Sequence, residues 1–176
     1  LFYIFMIITM TGLPGSGKTS VAKELAKHLH IKHYSMGDLF RKIAKKRKIA
    51  VLDLTKKDGK LAHELDQIQK KIAKNHKNAI IDSRLGAYLI KNAHAKIYVY
   101  ADLKTRVKRI SERDKKTYKE ALKETLSRER QELRHYKDEY HIDYRNKKLY
   151  NIRLNTRSLT VEDTTKKLIN KINNLK

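Results

Sequence analysis

The sequence contains no cysteine. That excludes a disulfide framework and a thiolate zinc site as sources of stability. Proline occurs once, at Pro14, so no proline-rich linker divides the chain, and neither repeats nor low-complexity blocks interrupt it. Long hydrophobic runs are also missing. The longest, Leu1 to Ile8, falls far short of the roughly 20 apolar residues that a membrane-spanning helix needs. It also lacks the basic leader region and the small-residue cleavage site of a signal peptide. Leu1 to Phe5 reads as a leader, with Met6 a candidate natural start, and a cytoplasmic location is the expectation. Acidic side chains are scarce: 19 Asp and Glu face 42 Lys and Arg, a formal net charge of +23. Such an imbalance favours polyanions as partners, such as nucleic acid or polyphosphates. It equally fits a solvated, lysine-rich surface.

The 176 residues suffice for one domain with its own core. Short apolar runs alternate with helix-period segments. Strands are predicted at Ile7–Thr11, His33–Ser35, Ala79–Asp82, Ala95–Tyr100 and Tyr150–Leu154. Helices are predicted at Lys18–Leu29, from Gly37 through Ala44, and at Leu61–Ala73, Lys104–Glu112, Thr117 to about Asp138, and Val161–Leu175 with Thr160 as N-cap. Lys56 to Gly59 reads as a loop. Strands alternating with helices argue a parallel sheet covered on both faces.

One stretch carries chemistry outright. GLPGSGKTS, Gly12 to Ser20, matches the P-loop pattern, and it lies after a strand and opens a helix. Gly12, Gly15 and Gly17 let the backbone fold around an anion. Amide N–H groups at the helix start then face phosphate oxygens, and the whole loop, with Leu13, Pro14, Ser16 and Ser20 between and after the glycines, is the expected cofactor-binding segment. Lys18 reaches the β- and γ-phosphates of a nucleotide, and the Thr19 hydroxyl ligates Mg²⁺. Residues just past the carboxyl ends of parallel strands line the ligand crevice. That rule brings Ser35, Asp38 and Arg41 after the second strand, and Asp82 and Arg84 after the third, towards the phosphate loop. Arg41 and Arg84 can clamp an acceptor phosphate, while Asp82 can hold Mg²⁺ through water. Arg106, Arg109 and Arg113 recur at helical spacing, followed by Arg128, Arg130 and Arg134. They read as surface decoration or as part of the site. His28, His30 and His33 lack carboxylate support and are not taken as a metal site. Tyr98 and Tyr100 read as sheet packing.

The chain resembles the archaeal-type (type 2) cytidylate kinases, a branch of the nucleoside monophosphate kinases. The resemblance rests on Met6-Ile7-Ile8-Thr9 leading into GLPGSGKTS, on YSMGDLFR, on IIDSRLGAYLIKNAHAKIYVYA, on RVKRISERD, and on SRERQELRHYKDEYHID, Ser127 to Asp143. It departs at His141, where a glycine is expected. The resemblance implies a three-layer P-loop NTPase-type α/β sandwich of a single domain, with a five-stranded parallel sheet. It further implies a monophosphate-binding segment over about 36–77 and a short helical lid over about 104–119. The implied reaction moves the γ-phosphoryl group of ATP to CMP or dCMP with Mg²⁺. Gly12 to Ser20 would bind ATP, and Arg41 and Arg84 would hold the monophosphate. Arg106, Arg109, Arg113, Arg128 and Arg134 would close on the transferring group, with Ser35 and Asp38 near the nucleoside. The implied partners are small nucleotides, with a monomer or homodimer as the assembly.

Two rival readings remain at this level. One is a sister kinase acting on adenylate, uridylate or shikimate; a hydroxyl acceptor would make a base such as Asp38 essential. The other is a nucleic-acid-binding NTPase, motivated by the charge and the run Arg41 to Lys48. Against it, the sequence has no RRM, KH or zinc pattern, and its basic stretch holds few aromatics for bases to stack on.

Overall fold

A computed structural model of the chain describes residues 5–48 and 59–175. The chain runs β1 (Met6–Thr11), α1 (Lys18–His28), β2 (Lys32–Ser35), α2 (Met36–Arg47), α3 (Gly59–Asn75), β3 (Asn78–Asp82), α4 (Gly86–Leu89), β4 (Ala95–Tyr100), α5 (Leu103–Asp114) and α6 (Tyr118–Tyr140). A 3₁₀ turn at Lys147–Leu149, β5 (Ile152–Asn155) and α7 (Val161–Asn173) complete it. The five strands form one parallel sheet in the order β2-β3-β1-β4-β5. The strands expected from the apolar runs are all present. The last begins at Ile152, because Lys147–Leu149 forms the turn before it. Gly59, expected in a loop, is the first residue of α3. The remainder of that expected loop, and Leu1 to Ile4 of the expected leader, lie outside the described residues.

β1 occupies the centre because its side chains are apolar or small on both faces. Ile8 and Met10 face α1 and α7, packing with Val21, Leu25, Leu168 and Ile172. On the opposite face Ile81 joins Met36 of α2, Ile90 and part of Ile72 from α3. Parallel strands buried on both sides are what near-continuous apolar runs produce. Helix starts are fixed by side chains. Ser35 accepts from the Asp38 N–H at 3.1 Å, Asp102 from Thr105 at 2.9 Å, and Thr160 from Asp163 at 3.0 Å. Thr117 and Glu120 form a reciprocal capping box at α6.

The topology sets up the site. β1 and β3 are neighbours, with Met10 opposite Asp82. The chain leaves β1 towards one edge of the sheet and leaves β3 towards the other. Their carboxyl ends therefore open onto a shared crevice, with the phosphate loop on one side and Asp82, Ser83 and Arg84 on the other.

Candidate active site

Close approach shapes the phosphate loop. A Cβ on Gly12 would lie 2.5 Å from the Val99 carbonyl oxygen, and one on Gly15 would lie 2.5 Å from that of Arg106. Gly15 and Gly17 also take positive φ, 78° and 85°. A side chain is excluded at each for one or both reasons. Ser16 N–H donates to Leu13 O at 3.1 Å, and Thr156 Oγ1 donates to Ser16 O at 2.9 Å, tying the loop to the end of β5. Pro14 O accepts from Arg106. The Ser16 hydroxyl is buried with no partner among the described residues, and Ser20 is exposed one turn into the site's helix.

The loop's lysine and threonine meet the end of β3. The Lys18 ammonium lies against Asp82 Oδ1, and the Thr19 hydroxyl donates to Asp82 Oδ2 at 2.7 Å. Asp82 is fully buried, so these contacts compensate a carboxylate that water cannot reach. Burial and then Arg84 lower the Lys18 pKa, against the pull of Glu132; Arg128 and Arg41 lower it further. That set of charges marks what surrounds the ammonium. Arg41, Arg84 and Arg128 come from α2, the end of β3 and α6.

Arg84 is held on two sides. Its Nε–H donates to Glu132 Oε2 at 2.9 Å, its Nη1 donates to Gly12 O at 2.5 Å, and its guanidinium stands 5.8 Å from the Tyr144 ring centroid. Glu132 Oε1 accepts from Arg128 Nε at 2.8 Å. Burial works against the Glu132 charge, but Arg84 and Arg128 prevail and bring its pKa to about 2. Arg41 donates to Asp38 at 2.5 Å from an exposed position, over Gly37, where a Cβ would come 3.5 Å from its guanidinium. Ser35 is occupied as the α2 cap.

The late arginines, one group by spacing, separate in space. Arg106 is 4% exposed. It donates to Ala101 O at 3.1 Å and Pro14 O at 3.0 Å and pairs with Glu129, so its fork is committed to the loop's backbone and to α6. Arg109 donates to Thr156 O at 2.6 Å and to Thr156 Oγ1 at 3.1 Å beside Gly17. Arg113 is exposed and forked onto Asp114 at 2.7 and 2.8 Å. Arg134 is not brought to the cluster. Two residues on from Glu132, it is turned about 200° around α6, exposed near Lys137, Asp143 and Arg145.

Several members of the site were not anticipated. Glu129 and Glu132 sit in the charged run SRERQELR, where their spacing of three puts both on one face of α6. His33 does have a carboxylate nearby, since its Nε2 lies 3.7 Å from Asp82 Oδ2. Burial and the neighbouring Lys23 and Lys18 lower its pKa, which favours the neutral ring. His28 likewise faces Glu24 at 3.2 Å. No cluster of three or more metal-ligating side chains occurs among the described residues. Next to Arg84, Ser83 Oγ donates to Gln69 at 2.5 Å, Gln69 donates to Asp66 at 3.3 Å, and Tyr140 OH donates to Asp66 at 2.6 Å. This buried relay ties α3 to β3 and α6. Tyr98 packs on Tyr150 and Tyr100 with ring centroids 4.9 and 6.2 Å away, as sheet packing requires.

Comparison with known proteins agrees with this geometry. A cytidylate kinase from Archaeoglobus fulgidus is 36% identical over 160 residues, covering 89% of each chain. A solved structure of an uncharacterized protein from Eubacterium ventriosum superposes with a TM-score of 0.77 at 23% identity, over 96% of this chain and 99% of that one. A shikimate kinase from Bacteroides thetaiotaomicron reaches 0.66 at 14% identity, over 96% and 98% of the two chains, and shares the P-loop α/β fold. Residues 7–158 match the cytidylate kinase-like family as a whole, and the chain belongs to that family.

Proposed function

We propose that this protein transfers the γ-phosphoryl group of ATP to CMP, and to dCMP, in the cytoplasm, releasing ADP and the cytidine diphosphate. The observation that carries the proposal is Arg84. It is bonded at once to the phosphate loop through Gly12 O and to α6 through Glu132, and its charge acts on Lys18. A guanidinium there faces both a nucleotide in the loop and a second phosphate opposite it. The family supplies the acceptor, since the relative from Archaeoglobus fulgidus is a cytidylate kinase.

The chemistry suits these residues. The acceptor atom is a phosphate oxygen, already anionic at neutral pH, so no strong general base is needed. The task is to bring two polyanions together and to stabilise the charge of the transferring group. In this reading the loop amides and Lys18 hold the ATP phosphates. Arg41 exchanges its exposed partner Asp38 for the acceptor phosphate. Arg84 and Arg128 stand over the transferring group, Arg109 lies on the ATP side beside Gly17, and Arg106 supports the loop. Thr19 and Asp82 offer hard oxygen donors, and a cation already sits at Asp82 Oδ1 in the form of Lys18. They are therefore the residues that would hold Mg²⁺, which when bound neutralises phosphate charge.

ADP formation from ATP, measured separately with CMP, dCMP, UMP, AMP and shikimate, tests the assignment. CMP is expected to give the highest kcat/KM, with dCMP next. A preference for AMP, UMP or shikimate would overturn it.

A further inference from the structure

Most site cations in this molecule are paired with carboxylates, but not in the same manner. Asp38 takes the terminal Nη2 of Arg41, and Asp114 takes Nε and Nη2 of Arg113. A phosphate oxygen wants those same fork ends, so such a carboxylate must let go before the arginine can bind phosphate. Glu132 behaves differently. It accepts from Arg84 through Nε at 2.9 Å and from Arg128 through Nε at 2.8 Å. Arg84 Nη1 is on Gly12 O, which leaves its Nη2 without a partner among the described residues. Both terminal nitrogens of Arg128 are likewise unpartnered there. One carboxylate thus fixes two guanidinium planes by their inner edges and leaves the outer edges available.

We propose that Glu132 is a positioning residue for phosphoryl transfer, holding Arg84 and Arg128 through their Nε–H groups so that their free terminal NH₂ groups aim at the phosphates between the two nucleotide sites. The proposal rests on the kinase reading above and deepens it. Three observations support it beyond the hydrogen bonds. Besides Asp82, which touches the ammonium, Glu132 is an anion whose charge acts on Lys18 alongside three arginines, so it helps offset the mutual repulsion of four cations converging on one cleft. Its pKa of about 2 keeps it charged at any working pH. Tyr144 places its hydroxyl 3.4 Å from Oε2 and its ring 5.8 Å from Arg84, touching both members of the pair.

Two measurements test it. In the wild-type protein, arginine Nε–H signals followed by NMR are expected to show Arg84 and Arg128 protected from solvent exchange, both free and with CMP and a non-hydrolysable ATP analogue bound. Loss of either protection on nucleotide binding would mean that Glu132 is a stand-in that phosphate displaces, and would overturn the proposal. In steady-state assays Glu132→Gln is expected to lower kcat by about 10- to 100-fold, the scale of a misplaced catalytic group, with KM for ATP changed less than about threefold. In an Arg128→Ala background the same substitution is expected to cost much less, because the two act as a unit. Wild-type kcat in Glu132→Gln, or losses that multiply in full, would overturn it. If Glu132→Gln does not fold, the wild-type spectra alone decide. The cycle is run on whichever acceptor the wild type phosphorylates best, so a wrong acceptor sinks the CMP assignment and leaves the positioning test intact.

Discussion

At the scale of single residues, the shortage of glycine has a visible consequence. Only six are present in the chain, and the phosphate loop uses three of them. Among the described residues, four backbone positions that favour glycine are instead filled by His30, Lys48, Lys115 and His141, with φ between 52° and 54°. Each follows the end of a helix, where a left-handed residue lets N–H groups return to the last carbonyls; His141 N–H bonds to Lys137 O at 3.0 Å. The left-handed conformation costs a residue with a Cβ about 1–2 kcal/mol, and a glycine gives back part of that gain through its freer unfolded chain. His141→Gly is therefore expected to stabilise the protein by about 0.5–1 kcal/mol in urea unfolding. A destabilising outcome would mean that the imidazole makes a compensating contact. This is also the position at which the sequence departs from its family's pattern. The departure leaves the turn intact, because the backbone takes the glycine-like conformation regardless.

At the scale of elements, α5 shows what spacing reveals and what it hides. Arg106, Arg109 and Arg113 recur every three or four residues, which puts them on one side of the helix. The helix meets the phosphate loop with its first turns only, so Arg106 is buried on Pro14 O and Glu129 while Arg113 reaches solvent. Arg106→Ala empties a buried site and leaves the half-buried Glu129 without its partner, and is expected to cost about 2–4 kcal/mol of unfolding free energy. Arg113→Ala is expected to stay within about 0.5 kcal/mol of wild type. Equal effects of the two, measured by urea denaturation, would contradict the separation of their roles. The same logic explains which parts of the site were legible. Lys18, Thr19 and Asp82 could be placed from the motif and the strand ends, because backbone topology alone brings them together. Glu129 and Glu132 could not. In SRERQELR five of the eight residues are charged, and only the packing of α6 against α5, with Arg84 and Arg106 reaching it, decides which carboxylates turn inward. The central strands β1, β3 and β4 were readable for the opposite reason: strands buried on both faces are written in largely apolar runs, whereas the edge strand β2, Lys32–Ser35, carries no such run.

At the scale of the whole molecule, the excess of positive charge makes each inward carboxylate matter. Asp82, Glu129 and Glu132 are among only 19 acidic residues, and all three pair with cations of the site. Acid adds charge to a chain that already carries +23. For Glu132 the folded pKa, about 2, lies below its ordinary value of 4.5. Its contribution is thus complete above about 4.5 and is lost as pH falls through that window towards 2. The loss is on the order of 3 kcal/mol. The urea midpoint of the wild type is expected to fall steeply as the pH drops from about 4.5 towards 2, and the difference from Glu132→Gln to shrink over the same range; parallel curves would contradict the pairing. No described helix is long and apolar enough to cross a membrane.

The central claim is that two phosphate sites face each other across Lys18, Asp82 and Arg84. Isothermal titration with a bisubstrate ligand, cytidine and adenosine joined through a pentaphosphate, tests it most directly. The account predicts one ligand per chain, bound about 10²- to 10⁴-fold more tightly than ATP, because the second site is engaged intramolecularly, with its apparent affinity lowered by CMP alone and by ATP alone. Affinity no greater than that for ATP alone would contradict it.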